Sequence, residues 1–76
     1  NYPNPANDFT IIPVEGINGD VTLTVFNELG QVVFEKHLGN NASDFILNTA
    51  ELPEGAYHYR IASGEFHASR TFVVAH

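Results

Sequence analysis

The sequence predicts an all-β fold, an antiparallel β-sandwich of six or seven short strands. Three observations predict it. Apolar and polar residues alternate with a period of two in several stretches, as in strands with one face buried. Turn-forming residues punctuate the chain at intervals of about 8–12 residues, the spacing of a sandwich. No stretch sustains the roughly 3.6-residue helical period. Without a crossover helix there is no parallel βαβ unit, so the strands must run antiparallel.

The opening, Asn1-Tyr2-Pro3-Asn4-Pro5-Ala6-Asn7-Asp8, reads as an extended, turn-rich lead-in. Pro3 and Pro5 fix φ, remove two backbone donors and bias their predecessors away from helix. Residues 9–14 are rich in β-formers, with Pro13 confining the far end to a sheet edge or a bulge. Asn18-Gly19 is a tight-turn dipeptide. Residues 20–27 alternate, with Val21, Leu23 and Val25 on one face and Thr22, Thr24 and Phe26 on the other. Gly30 suits the left-handed position of a hairpin loop, and residues 31–38 return as the partner strand. On that strand Val32 and Phe34 are expected to share a face, with Val33 opposite.

Gly39-Asn40-Asn41 breaks the chain, and residues 44–49 form a short strand with Phe45 and Leu47 on one face. Leu52-Pro53-Glu54-Gly55 is a corner. Residues 56–62 alternate again, placing Tyr57, Tyr59 and Ile61 opposite His58 and Arg60. Ser63-Gly64-Glu65 is a hairpin loop, and residues 67–74 are the closing strand, where Val73 opposes Phe72 and Val74.

With 76 residues there is room for a single core, and a chain of this length buries only about 60% of its unfolded surface. Apolar residues make up 43% and charged residues 16%, which suits a folded domain. The net charge is −6 and the only cations are Lys36, Arg60 and Arg70. Three scattered cations cannot neutralise a phosphate backbone or hold an anionic membrane surface, which excludes nucleic acid as a partner. No apolar run approaches the roughly 20 residues of a membrane-spanning helix. No basic start leads into an apolar stretch, so the chain reads as carrying no signal peptide of its own. It also contains no methionine, from which we expect further residues before Asn1 in the gene product.

The sequence offers little chemistry. There is no cysteine to form a disulfide, hold a metal or act as a nucleophile. The four histidines, His37, His58, His67 and His76, lack metal-ligand spacing. His58 and His67 facing each other across the last hairpin would make a two-ligand site; the plainer expectation is surface histidines. Ser43, Ser63 and Ser69 have no nucleophile-elbow setting, and the nine acids read as solubilising. Asp8, Asp20 and Asp44 form no calcium loop, and the glycines match no phosphate-binding loop. We therefore expect no catalysis, no metal and no cofactor. In Leu52-Pro53-Glu54-Gly55-Ala56-Tyr57, the tyrosine is placed to return a hydrogen bond to nearby backbone, as at the corners of Greek-key sandwiches. Leu52 would plug the core and Gly55 permit the bend.

These segments together resemble a known family. Tyr2-Pro3-Asn4-Pro5-Ala6, the run from Val21 through Gly30-Gln31-Val32-Val33, Leu52-Pro53-Glu54-Gly55-Ala56-Tyr57 and the terminal Phe72-Val73-Val74 follow, in order and at the right spacing, the pattern of the type A C-terminal sorting domain of the type IX (Por) secretion system. The resemblance covers essentially the whole chain. One departure is that the family's usual lysine before the last apolar triplet is Thr71 here, with Arg70 one residue earlier. A shift of one residue turns a side chain to the other face of a sheet, so whether Arg70 replaces that lysine is open.

The resemblance implies an Ig-like sandwich over residues 9–76, following the lead-in of residues 1–8 and an upstream cargo. It implies passage through the periplasm, recognition by an outer-membrane shuttle and translocon, and removal by a sortase-like cysteine protease. The cargo then stays on the cell surface, attached to lipopolysaccharide, or is released. The residues expected to carry recognition or to hold its shape are Pro3, Asn4, Pro5, Gly30, Leu52, Gly55, Tyr57, Arg70, Phe72 and Val74. Two other classes fit a small sandwich: an adhesive or carbohydrate-binding accessory module, and a structural spacer. Oligomeric state is open, since edge strands invite pairing.

Overall fold

Alternation becomes architecture in the computed structural model, which describes residues 8–14, 19–39, 44–64 and 66–76. The described residues form six strands: β1 (Phe9–Ile12), β2 (Val21–Phe26), β3 (Val32–Gly39), β4 (Phe45–Asn48), β5 (Gly55–Ser63) and β6 (Phe66–Val74). They make two antiparallel sheets, β1-β4 and β3-β2-β5-β6. The fold is the all-β, Ig-like sandwich that the sequence predicts.

The core lies between the sheets. From the large sheet come Val21, Leu23 and Val25 of β2, Tyr57, Tyr59 and Ile61 of β5, and Phe72 and Val74 of β6. The small sheet supplies Ile12 and Leu47, and the chain just past β1 supplies Val14. Each of these side chains contributes about 1.5–3 kcal/mol of transfer free energy when fully buried. Phe34, Leu38, Phe45 and Leu52 pack half-buried around them, with the Phe34 and Phe45 rings 5.9 Å apart. Thr10 and Thr49 are buried beside β1 and β4, where the Thr49 amide donates to the Asp8 carbonyl at 2.8 Å.

Several boundaries follow from single residues. β1 stops one residue short of Pro13, which has no amide to offer a ladder. The β2–β3 turn needs a residue at positive φ, and Gly30 supplies it at 81°. Asn27 builds the rest of that turn. Its Oδ1 accepts from the amides of Leu29 at 2.9 Å and Gln31 at 3.0 Å. The last hairpin is one residue tighter on each side than its sequence suggests. Ser63 pairs with Phe66, leaving a two-residue loop that begins at Gly64 with φ 60°.

Strict alternation fails on β3. Its register against β2 shifts between Val21 and Thr22 and again between Val25 and Phe26. The second shift sets Val32 opposite Phe26 while Phe34 sits opposite Val25. Val32 therefore does not share the face of Phe34: it is 56% exposed, and Phe34 packs on the core. Asn18, Pro3, Asn4 and Pro5 lie outside the described residues.

Candidate functional site

Five of the residues singled out by the sequence converge where the corner between β4 and β5 meets the end of β6. The Tyr57 hydroxyl donates to the Pro53 carbonyl at 2.6 Å, closing the corner as predicted. Leu52 packs half-buried on the core. Gly55 opens β5 at φ 152°, which side chains of L-residues avoid, and a Cβ there would sit 3.0 Å from Glu28 Oε1. Across the ladder, Gly55 pairs with Val74 and Tyr57 with Phe72. The Tyr57 and Phe72 rings stack with centroids 5.5 Å apart, and Phe72 and Val74 are fully buried.

Three further bonds fasten this corner. The Ala56 amide donates to Glu28 Oε1 at 3.0 Å, tying the corner to the β2–β3 turn that Gly30 shapes. The His76 amide donates to Glu54 Oε1 at 2.8 Å, and His76 Nε2 donates to the Leu52 carbonyl at 2.8 Å. Between turn and corner lies an open hollow of about 220 Å³, lined by Leu29, Pro53, Ala56, Tyr57 and the two glutamates Glu28 and Glu54. Sequence reasoning missed these fasteners. Glu28 acts on a residue 28 positions away, and no local pattern signals such a pair.

Arg70 stands apart from this cluster. It pairs across the ladder with Tyr59, on the face of Phe72 and Val74, whereas Thr71 pairs with His58 on the outer face. Its charge thus emerges on the opposite side of the sheet from the side chain of residue 71. Burial raises Tyr59 above its ordinary phenol value of 10.0, and the Arg70 guanidinium works against that rise.

The histidine pair considered from sequence does not form. His58 lies opposite Thr71 and His67 opposite Ala62, four rungs or roughly 13 Å apart along the strands. His58 stacks on Phe26 at 4.8 Å, and His67 Nδ1 accepts from Arg60 Nη2 at 3.1 Å. Among the described residues, no group of three or more His, Cys, Asp or Glu could hold a metal ion. Tyr57 and Tyr59 are both buried, so neither offers a platform for stacking a sugar ring.

The singled-out residues of this small sandwich thus close a corner and a terminal hairpin. The family model of the secretion system C-terminal sorting domain matches residues 1–75, and the chain belongs to that family. No curated protein matches it. Membership makes the chain a C-terminal sorting signal for type IX secretion. Domains of this kind are carried C-terminal to a cargo and handled by the type IX system, passing through the periplasm to the outer membrane for secretion. They are generally non-catalytic.

Proposed function

We propose that this domain is a purely recognitional, non-catalytic address. It is gripped through the β5–β6 hairpin by the outer-membrane shuttle and translocon, then removed by a sortase-like cysteine protease. The observation that supports this reading is the hairpin itself. It pairs over nine unbroken rungs, lies at the edge of the sheet and is fastened at its base by Tyr57, Glu54 and His76. Leu52, Gly55 and Tyr57 hold it in place; Phe72 and Val74 root it in the core. The cargo ends up on the cell surface, linked to lipopolysaccharide, or free outside the cell.

The test is a fusion of residues 1–76 behind a periplasmic reporter in a bacterium that has this system. The reporter should appear outside the cell, shorter by close to the 8.4 kDa of the domain. A reporter that stays in the periplasm overturns the address. A reporter exported at full length overturns the removal. Deleting residues 69–76 should abolish export, and continued export would remove the hairpin from the recognition surface.

A further inference from the structure

The sheet edges are protected unequally. β1 and β4 have four residues each, and Pro13 follows β1 directly. β3 carries two register shifts together with Glu35 and Lys36. Short strands, bulges, charges and proline are the devices by which natural sheets keep other strands from adding to their edges. β6 has nine residues in unbroken register with β5, no proline and a single formal charge, Arg70. On the side away from β5, the stretch from Phe66 to Thr71 has no strand beside it among the described residues.

That stretch is also poorly covered from the inner side. By alternation, Phe66, Ala68 and Arg70 share the face of Phe72 and Val74. Phe72 and Val74 are fully buried, whereas Phe66 is 48% exposed and Arg70 is exposed. Among the described residues the Arg70 guanidinium donates only to the neighbouring Ser69 carbonyl, at 3.4 Å. The one contact of ion-pair type among the described residues, His37 Nε2 to Asp20 Oδ2 at 4.0 Å, is elsewhere. A half-exposed aromatic ring and a cation with no carboxylate partner among the described residues thus lie along one edge row of backbone groups.

We propose that the β6 edge over Phe66–Thr71 takes up an extended segment of the export machinery as a fifth strand of the large sheet. The segment places a carboxylate beside Arg70 and an apolar side chain over Phe66. This inference rests on the sorting function above and adds the mode of capture. Backbone bonds at a sheet edge supply affinity and alternate side chains supply selectivity. A second copy of the chain fits less well. Full overlap of two β6 strands sets Arg70 directly opposite its own copy, and like charges in that position repel.

The experiment uses the same reporter fusion, with folding of each variant followed by its urea midpoint. Arg70→Glu should cut export roughly tenfold or more, by reversing a complementary charge, while Arg70→Lys retains most of it. Lys36→Glu, the same reversal on the protected β3 edge, should leave export near the parent level. Ala68→Pro and Ser69→Pro address the backbone. Alternate residues of an edge strand point their amides away from the sheet, so one of the two variants deletes only an outward donor and stays folded. That variant should also lose export. Parent-level export of Arg70→Glu, or of the folded proline variant, overturns the inference and leaves the sorting function standing. Retention of the parent fusion would instead remove the sorting function itself.

Discussion

Replacing Tyr57 by phenylalanine deletes one oxygen and leaves the ring in its stack on Phe72. The lost bond, 2.6 Å to the Pro53 carbonyl, is short and partly buried. A neutral hydrogen bond contributes about 1 kcal/mol net, and an orphaned buried partner would raise the loss toward about 3 kcal/mol. Pro53 is exposed, so its carbonyl can turn to water and the smaller figure applies. A chain of 76 residues has a total stability of about 4–11 kcal/mol at the usual value per residue. For a domain this small, 1 kcal/mol moves the melting temperature by about 4–8 °C. Thermal unfolding of the domain, followed by circular dichroism, should show a fall of that size with a cooperative transition retained. An unchanged melting temperature would mean that the corner is held by the Glu28, Glu54 and His76 bonds and that the hydroxyl adds nothing.

Other perturbations separate the remaining forces. Gly55→Ala meets both an unfavourable φ and the Glu28 carboxylate, and should cost about 1–3 kcal/mol in a urea titration; a loss under half of that would show the strand start relaxing freely. Phe72→Ala removes a ring in contact with Tyr57 and Tyr59, at about 3–5 kcal/mol, and should lower the urea midpoint more than any other single change here; a loss under about 1 kcal/mol would refute its place in the core. Tyr59 links stability to alkaline pH. Its folded value is raised, so its contribution is complete below pH 10.0 and is lost as the pH climbs from there. The urea midpoint should therefore fall above that pH, and less steeply in Tyr59→Phe. Arg70→Ala should move the phenol ionisation higher still, as read from its ultraviolet absorbance, because the guanidinium opposes the rise.

Legibility in the sequence followed the period of two. β2 and β5 could be read directly because Val21-Leu23-Val25 and Tyr57-Tyr59-Ile61 each commit one whole face to the core. The corner could be read because its chemistry is local: proline, glycine and tyrosine act within five residues. β3 could not be read so well. Its two register shifts arise from pairing with β2 and leave no mark on its own composition, so Val32 lies on the face opposite to the one that simple alternation with Phe34 gives. The relation of His58 to His67 depended on a hairpin register set by Ser63 and Phe66, one residue tighter on each side than the polar run implied. Glu28, Glu54 and His76 reach across the fold to backbone groups, and only the assembled chain brings such partners together.

The order of the strands has a consequence for quality control. β6 is the last of the six to leave the ribosome, yet it supplies Phe72 and Val74 to the centre of the core and all nine rungs of the final ladder. A polypeptide broken off before Phe66 leaves Tyr57 and Tyr59 uncovered and cannot complete the sandwich. If the β5–β6 hairpin is what the export system grips, as proposed above, then only a cargo synthesised through to β6 carries a legible pass out of the cell.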